Sequence, residues 1–436
     1  MKLASRVFGV VFKHRVGCKS TEAALDTVLI AERLVAGGAA LARLEDGQVA
    51  FVRGALPGER VRARLGPGPG KTMNGEAIEI IDPSALRCEP DCALAGCCGG
   101  CDWLHLEIAA ALELKAGILV EALERARLPG LPRPVLHPSP AGRAARARAR
   151  LHLTADRRVG FLGRRSHEVI PLDRCPALRP ALSDRLPALA AAIAAIEPGS
   201  ASQILLASDD SGRVVVCPLD PKGRPLPSAG CSGAFTAALE AHGLECAGPG
   251  DATAPLIFAG PRIEQQVPVG AFFQANPESN CELVERVLEL AGDGPGRAVD
   301  YFCGAGNLGL TLAHAGWTVQ GLELDRAAVE LGSLRAAELG LDAVFGVADL
   351  ELDPLPPGEA ELAILDPTRR GARALARVLA GADVPRILHL GCDPATMARD
   401  GAILASGGYW LEGLELFDFF PGTHHLEALG LWIRRS

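Results

Sequence analysis

Between residues 25 and 84, apolar and polar side chains alternate along short runs. The runs QVAFVRG, ERVRARL and EAIEII are separated by glycines and prolines. A period of two places one set of side chains on each face of a strand, and frequent turn residues keep the strands short. The pattern predicts a small all-β barrel over residues 25–84. Arg60, Arg62 and Arg64 share one strand face, which fits either phosphate contacts or a solvated surface.

The next part of the chain, residues 85–265, combines a helix with further strands. The segment LEIAAALELKAGILVEALERARL has apolar positions at helical spacing and is followed by the prolines of LPGLPRP. This pattern predicts an amphipathic helix over about 106–127, which we expect to pack on the region after residue 265. Alternation returns over residues 142–175 and predicts strands there.

Arginine is concentrated in the same central region. Eight arginines lie between Arg143 and Arg165, in a chain whose formal net charge is −8. A local excess of arginine in an acidic protein indicates a polyanionic partner, and we favour RNA over a merely arginine-rich surface. The candidate contacts share one strand face: Arg146, Arg148 and Arg150.

Cysteines cluster in the segment CEPDCALAGCCGGC. The spacing Cys92-x5-Cys98-Gly-Gly-Cys101 is typical of thiolates around a zinc ion or an iron–sulfur cluster, and Cys175 is a distant candidate for the fourth ligand. The adjacent Cys97 leaves open which thiol of the pair is the ligand. A long chain with a tight cysteine cluster is unlike a secreted disulfide scaffold, so we expect a metal or cluster site in a reducing compartment.

From residue 266 to 436, short apolar runs that end in polar residues alternate with helical stretches. This alternation predicts a parallel, doubly wound sheet with functional loops at the carboxyl ends of its strands. A turn containing Gly304 and Gly306 follows one strand, and Glu323 ends the next. Glycines allow close backbone approach to a ligand, and an acid in this position accepts hydrogen bonds from ribose hydroxyls. The two features predict a nucleoside ligand but fit NAD and S-adenosylmethionine equally.

Three further motifs lie near strand ends in this region: DPTRRG, GCDPATMARD and FPGTHHLEAL. Asp366 and Cys392 each follow an apolar run, so both are expected to face one crevice. A thiol near a helix N-terminus gains thiolate character from the local field. Glu427 stands beside a compact turn and is a candidate carboxylate base.

Together these motifs resemble the uridine-5 RNA methyltransferase family, in the branch with an N-terminal TRAM barrel and an iron–sulfur cluster. The resemblance extends from about residue 25 through GALPGERV, CGGC, FFQANP, FCGAGN, GCDPATMARD and FPGTHHLE. It implies an α/β fold with a TRAM, OB-like barrel over 25–84, a central mixed or antiparallel β domain over 85–265, and a Rossmann-like S-adenosylmethionine-dependent domain over 266–436. It also implies a [4Fe-4S] cluster held by Cys92, Cys98, Cys101 and Cys175.

The resemblance implies roles for individual residues. Cys392 is the nucleophile that adds to C6 of the uracil ring, Glu427 is the base that removes the C5 proton, and Asp366 hydrogen-bonds the uracil edge. Phe272 stacks on the target base after the base leaves its stack. The residues implied at the S-adenosylmethionine site are Gln274, Phe302, Gly304, Gly306, Asn307, Glu323, Asp349 and Asp366.

The chain departs from the usual family pattern around several of these motifs. Thr368 stands in DPTR where DPPR is usual, Gly391 and Asp393 stand in GCDP where SCNP is usual, and Ala145 lies where an aromatic residue is common. None of these departures removes a reacting group. We expect the charge of Asp393 to oppose formation of the thiolate beside it.

The resemblance implies a monomer in the cytoplasm that acts on RNA, with ribosomal RNA favoured over transfer RNA and no association with a membrane. Residues 1–24 are basic and mildly apolar, and we interpret them as an N-terminal extension because the run FGVVF is short for a secretory signal. One alternative is a non-catalytic RNA-binding protein that retains the fold, which the presence of both Cys392 and Glu427 opposes. Another is a methyltransferase for a small molecule or an amino group, which the barrel and the arginine-rich segment oppose.

Overall fold

A computed structural model of the 436-residue chain describes residues 25–195, 201–226, 233–247 and 255–435. The predicted extension over residues 1–24 lies outside this part of the chain. The described residues form two compact units. The first unit contains the residues up to Asp91 with Cys101–Leu114 and Gly422–His424, and the second contains Cys92–Gly100, Lys115–Pro421 and the residues from His425 onward.

Five strands of the first unit close into a barrel, as the alternating pattern predicts. Alternate side chains of the fourth strand, Val61, Ala63 and Leu65, are fully buried and form part of the barrel core. The strands are β1 (Leu25–Leu34), β2 (Ala40–Arg43), β3 (Val49–Arg53), β4 (Arg60–Pro67) and β5 (Met73–Asp82), and their order around the barrel is β1-β2-β3-β5-β4.

The outer face of β4 carries the three arginines that the sequence places together. Each one forms an exposed ion pair with a carboxylate on a neighbouring strand, so their charges are neutralised locally. This favours the solvated-surface interpretation over phosphate contacts, and such exposed pairs contribute little to stability. The pairs are Arg60–Asp82 at 2.7 Å, Arg62–Glu79 at 2.8 Å and Arg64–Asp26 at 2.9 Å.

Helix α1 (Ile108–Arg125) has nearly the bounds that its apolar periodicity predicts. Within the second unit, Lys115 of this helix is fully buried and donates to Asp418 Oδ1 at 2.7 Å and to the carbonyl oxygen of Phe420 at 3.2 Å. A buried ammonium is stable only when it is paired and hydrogen-bonded, so this pair fixes the helix to the segment after residue 417. The short strand β6 (Val135–His137) follows.

A six-stranded sheet forms the centre of the second unit, in the order β12-β11-β10-β7-β8-β9. Its strands are antiparallel except for the β11–β12 pair. Both faces are covered at β10 and β11, since every residue of these two neighbouring strands is buried. The elements are β7 (Arg148–Leu153), β8 (Val159–Leu162), β9 (Val169–Pro171), α2 (Pro180–Ser183), α3 (Leu186–Ala194), β10 (Gln203–Ser208), β11 (Val214–Leu219), α4 (Gly233–Ala241) and β12 (Glu245–Cys246).

One face of this sheet packs against α2, α3 and α4 in a core that includes Leu182, Leu189 and Leu239. The other face packs against a small hairpin, β13 (Leu256–Phe258) and β14 (Gln265–Val267). Phe273, which follows the hairpin, is buried in the same core as Phe258. The polypeptide that carries the FFQANP motif is therefore anchored on the central sheet.

The C-terminal region forms an eight-stranded sheet in the order β17-β16-β15-β18-β19-β21-β20-β6. The first five strands in this order are parallel, as predicted, but β21 is antiparallel to both of its neighbours, so the whole sheet is mixed. The elements are α5 (Pro277–Ala291), β15 (Arg297–Tyr301), α6 (Gly309–His314), β16 (Thr318–Glu323), α7 (Arg326–Leu339), β17 (Ala343–Val347), β18 (Leu362–Leu365), α8 (Arg373–Ala380), β19 (Arg386–Gly391), α9 (Pro394–Ser406), β20 (Tyr409–Phe417) and β21 (Glu427–Arg434).

The strand order reverses at β15, which lies between β16 and β18. In doubly wound sheets, ligands bind outside the carboxyl ends of the strands at such a reversal. The loops after β15, β16, β18 and β19 all meet at this edge because the four strands are parallel. Among the helices of the described residues, none has the length and apolar character needed to cross a membrane.

Candidate active site

The register of β19 and β21 places Cys392 beside Glu427. Gly391, the last residue of β19, is paired with Ala428 on the antiparallel strand β21. Cys392 directly follows Gly391 and Glu427 directly precedes Ala428, so the thiol and the carboxylate leave neighbouring strands at the same edge. The two motifs are 35 residues apart in the sequence, and the sheet brings them together.

Asp366 joins them from the adjacent strand. It follows Leu365, the last residue of β18, which is paired with His389 on β19. Asp366 Oδ2 accepts a long hydrogen bond of 3.5 Å from Gln274 Nε2. The structure therefore brings together the three residues that the family resemblance assigns to catalysis, and it places Gln274, which the resemblance assigns to the cofactor, beside Asp366.

The thiol of Cys392 is protonated at neutral pH in this arrangement. Its pKa is raised to about 12, first by burial and then by the negative charges of Glu427 and Asp366, while Arg369 acts in the opposite direction. The sequence suggested that the nearby helix N-terminus would favour the thiolate. Burial and two carboxylates outweigh that field, so the proton must leave as the thiol attacks.

Two departures from the usual family pattern have a structural explanation. Asp393 is the N-cap of α9 and its carboxylate accepts a hydrogen bond from the Thr396 amide at 2.8 Å. The charges that raise the pKa of Cys392 are those of Glu427 and Asp366. The effect of Asp393 on the thiolate stays a prediction. At Gly391, a Cβ would lie 3.0 Å from the Cβ of Met397, so a serine there would be crowded.

The two carboxylates have raised pKa values. Burial, together with the charge of Asp366, raises the pKa of Glu427 well above its usual range against the effect of Arg369. Loss of hydration raises the pKa of Asp366 to about 7, opposed by the hydrogen bond from Gln274 and assisted by Glu323, although part of the side chain still reaches solvent. A carboxylic acid with a pKa of about 7, as at Asp366, can exchange protons near neutral pH, as acid–base catalysis requires.

The glycine-rich turn after β15 has unusual backbone angles and free space beside it. Phe302, Gly304 and Gly306 have positive φ angles of 65°, 55° and 91°. This conformation is unfavourable for a residue with a Cβ, and strain of this kind concentrates at functional sites. A Cβ at Gly304 would meet no atom within 4 Å, so space lies beside the turn. The Gly304 amide donates to Glu323 Oε2 at 3.1 Å, which fixes the carboxylate at the end of β16.

The other implied cofactor residues lie at the same edge or next to it. Asp349 follows β17, and its Oδ1 accepts from the amides of Glu351 and Leu352 at 3.2 Å each. Asn307 instead directs its amide toward α5, where it forms two hydrogen bonds with Asn280. An open glycine turn flanked by two fixed acids fits the ribose and base of a nucleoside, including that of S-adenosylmethionine.

Phe272 is 73% exposed, which is unusual for a large aromatic ring and suits a stacking surface. The Arg148 guanidinium lies 5.4 Å from the centre of this ring and 4.9 Å from that of Phe273, and it donates to the Phe273 carbonyl oxygen at 3.2 Å. Burial, with a contribution from Arg150, lowers the pKa of Arg148 to about 10. Arg148 thus supports the Phe272 segment from a largely desolvated position.

The other two arginines of the predicted face have different surroundings. The Arg146 guanidinium lies 5.4 Å from the ring centre of Phe420 and is half-buried. Arg150 is exposed, beside Gly223 in the turn that follows β11. Of the three residues, Arg150 is the one that the structure leaves most accessible to a phosphate.

Three of the four candidate cluster cysteines lie within electrostatic reach of one another in the second unit. The pKa values of Cys98 and Cys175 are raised, first by burial and further by neighbouring cysteines including Cys92, and Arg146 lowers both. None of the three forms a disulfide. Cys101 belongs to the first unit. In the described ranges, no set of three or more histidine, cysteine or acidic side chains has the arrangement of a metal site.

Known proteins resemble this chain over most of its length. The 23S rRNA (uracil(1939)-C(5))-methyltransferase RlmD of Halomonas elongata is 35% identical over an alignment that covers 92% of this chain and 88% of that protein. An uncharacterized RNA methyltransferase of Streptomyces coelicolor is 32% identical over 91% of this chain and 90% of its own length. No family model matches the chain.

A solved structure resembles nearly the whole fold. The tRNA (uracil-54, C5)-methyltransferase of Pyrococcus abyssi, determined with S-adenosyl-L-homocysteine, superimposes with a TM-score of 0.72 at 21% identity. The match covers 93% of this chain and 100% of that one. Identity above 30% along almost the full length of the relatives, with this shared fold, shows that the chain belongs to the family of S-adenosylmethionine-dependent RNA (uracil-C5)-methyltransferases.

Proposed function

We propose that this chain transfers a methyl group from S-adenosylmethionine to C5 of a uridine in RNA, with Cys392 as the nucleophile. The observation that carries the proposal is the convergence of Cys392, Glu427 and Asp366 at the ends of three adjacent strands. Ribosomal RNA is the favoured substrate because several relatives are named for 23S rRNA. Transfer RNA is the alternative, after the name of the structural neighbour.

The chemistry explains why these groups are needed. C5 of uracil is too weak a nucleophile to take a methyl group directly, so Cys392 sulfur first bonds to C6 and makes C5 an enolate carbon. The thiol proton passes to a neighbouring carboxylate as this bond forms, and Asp366, with a pKa of about 7, is a suitable acceptor. After C5 is methylated, Glu427 removes the C5 proton. The C5–C6 double bond then re-forms and the Cys392 sulfur leaves.

S-adenosylmethionine supplies the methyl group on a positively charged sulfonium. The residues proposed to hold it are Glu323 at the ribose, Asp349 near the base, and the turn of Gly304 and Gly306, which has open space beside Gly304. Gln274 is proposed to contact the cofactor as well, and its hydrogen bond to Asp366 orients that carboxylate.

The substrate must present a uridine that has left its stack, because C6 has to meet a half-buried thiol. Phe272 is proposed to stack on this uridine, with Arg148 holding the ring in place. Arg150 is proposed to contact phosphate, and Arg146 to contribute nearby. We also propose that the N-terminal barrel is a TRAM domain that binds the same RNA.

We propose that Cys92, Cys98, Cys101 and Cys175 hold a [4Fe-4S] cluster. Two observations support this assignment: the CGGC spacing, and the effect of neighbouring cysteines on the pKa values of Cys98 and Cys175. Methyl transfer needs no electron, so such a cluster would serve the structure or RNA placement. Anaerobically purified protein should contain about four irons per chain, and Cys98→Ser should lose them while the matched Cys97→Ser retains them. Stoichiometric zinc, or iron lost only in Cys97→Ser, would contradict this assignment.

The methylation proposal is tested with RNA that lacks the modification. Purified protein, S-adenosylmethionine and ribosomal or transfer RNA from a strain without the enzyme are incubated, and the nucleosides are analysed by mass spectrometry. We expect 5-methyluridine from the wild type with ribosomal RNA and none from Cys392→Ala. Methylation at another atom, or 5-methyluridine formed by Cys392→Ala, would contradict the proposal.

A further inference from the structure

A pair of side-chain amides joins the cofactor turn to the helix that begins after the FFQANP motif. Asn280 Nδ2 donates to Asn307 Oδ1 at 3.0 Å, and Asn307 Nδ2 donates to Asn280 Oδ1 at 2.9 Å. Both amides thus donate and accept in one closed pair, which fixes their relative orientation. Asn307 directly follows Gly306, and Asn280 lies in the first turn of α5.

The Asn307 backbone is held from a second direction. Gln265 on β14 is buried and donates to the Asn307 carbonyl oxygen at 3.3 Å and to Thr311 Oγ1 at 3.1 Å. Thr311 is fully buried and donates to the same carbonyl at 3.0 Å. Buried polar networks that are satisfied in this way are rigid, so the position of the turn depends on β14 and α5.

The start of α5 is equally constrained. Asn276 is fully buried and caps the helix by accepting from the Ser279 amide at 3.2 Å. Its Nδ2 donates to Ser279 Oγ at 2.8 Å and to Ser139 Oγ at 3.0 Å. Only a few residues separate this cap from Gln274 and from the exposed ring of Phe272. A shift of α5 would therefore move the surface proposed to stack on the uridine.

We infer that Asn280 is a positioning residue that couples the two halves of the site. Through Asn307 it links the placement of the cofactor turn to that of the Phe272–Gln274 segment, so that cofactor and substrate RNA each strengthen binding of the other. The inference rests on the proposed function and adds a cooperative link between its two ligands. Coupling of this kind is reciprocal and typically amounts to 5–150-fold in affinity.

The test measures the affinity of S-adenosylhomocysteine, which binds without reacting, with and without ribosomal RNA that lacks the modification. In the wild type we expect the RNA to tighten binding at least fivefold. In Asn280→Ala we expect weaker binding without RNA and loss of the tightening. Asn307→Ala, and the variant that combines it with Asn280→Ala, should bind S-adenosylhomocysteine as Asn280→Ala does, because the two amides act as one unit. Glu285→Ala, which changes an exposed side chain on the same helix, should resemble the wild type.

The outcomes separate this inference from the proposed function. Unchanged S-adenosylhomocysteine binding by Asn280→Ala without RNA would overturn the inference whether or not the wild type methylates uridine. If Asn280→Ala binds S-adenosylhomocysteine more weakly but RNA still tightens that binding as in the wild type, the inference is also overturned, since Asn280 would then act only on the cofactor turn. Additive effects of the two asparagine changes would exclude their action as a pair. Formation of 5-methyluridine by the wild type tests the proposed function separately.

Discussion

His389 gives a prediction about stability that depends on a single buried ring. It lies on β19, three residues before Cys392, and is only 1% exposed. Neither ring nitrogen has a hydrogen-bond partner. Burial lowers the pKa of His389 from 6.5 to about 4, with Asp400 opposing and Arg399 assisting. The folded chain therefore keeps the ring neutral at pH values where the unfolded chain protonates it.

The sign and size of the effect follow from proton linkage. Between about pH 6.5 and pH 4 the unfolded state binds a proton at His389 that the folded state does not, so stability falls as the pH falls through this window. A difference of about 2.5 pH units at ~1.4 kcal/mol each gives a loss of roughly 3 kcal/mol by pH 4. His389→Leu removes this loss. At pH 7.5 it should be neutral or stabilising, because two unsatisfied polar atoms leave the core.

Urea unfolding of the wild type and His389→Leu at pH 7.5, 5.5 and 4.5 measures the effect. The stability advantage of the variant should grow as the pH falls, by about 2–3 kcal/mol over this range. His314→Leu, which changes an exposed ring, controls for loss of a histidine in general. An advantage that stays constant across the three pH values would refute the reasoning, since it would mean that the folded state protonates His389 as readily as the unfolded state.

Three further predictions concern the thiol and the RNA surface. Iodoacetamide should alkylate Cys392 several-fold faster at pH 9 in Asp366→Asn and more slowly in Arg369→Gln, because these residues raise and lower the thiol pKa respectively. Peptide mass spectrometry gives the rates, and equal rates in both variants would contradict this electrostatic assignment. Arg150→Gln should reduce the salt dependence of single-stranded RNA affinity by about 0.7 in log–log slope, measured by fluorescence anisotropy. Arg148→Gln should lower kcat without changing that slope, and a reduced slope would mean that Arg148 contacts phosphate.

Local patterns in the sequence predict much of the fold. The alternation over residues 25–84 corresponds to β1–β5, and helical spacing over 106–127 corresponds to α1. Partners distant in sequence are not encoded in such patterns. Strand β6 has three residues and pairs with β20, joining Val135 to Glu415, and nothing in its sequence indicates that neighbour. The acids that neutralise the β4 arginines could not be predicted either. The spacing of the arginines shows that they share a strand face, but it does not show which strand lies beside them.

The site likewise combines features that the sequence predicts with features that depend on the folded chain. The strand-end positions of Cys392 and Asp366 could be predicted to meet, because parallel strands carry their ends to one edge. Asn280 was missed, since a single amide in the first turn of a helix has no periodic signal. His389 does carry a signal in the sequence, because it is a polar residue within the apolar run RILHLG. The sequence predicts a phosphate contact for Arg148, whereas the structure favours a role in supporting Phe272. This second role depends on distances that only the folded chain provides.

The central claim is that Cys392 forms a covalent bond to the uridine and Glu427 permits its release. It is tested most directly with RNA that contains 5-fluorouridine at the target position, incubated with S-adenosylmethionine and the protein. Fluorine cannot leave as a cation, so the methylated adduct should persist and appear in mass spectra as RNA attached at Cys392. Glu427→Gln should accumulate an adduct even with ordinary uridine, and Cys392→Ala should form none with either RNA. A Cys392→Ala protein that still forms the adduct or 5-methyluridine would contradict the mechanism.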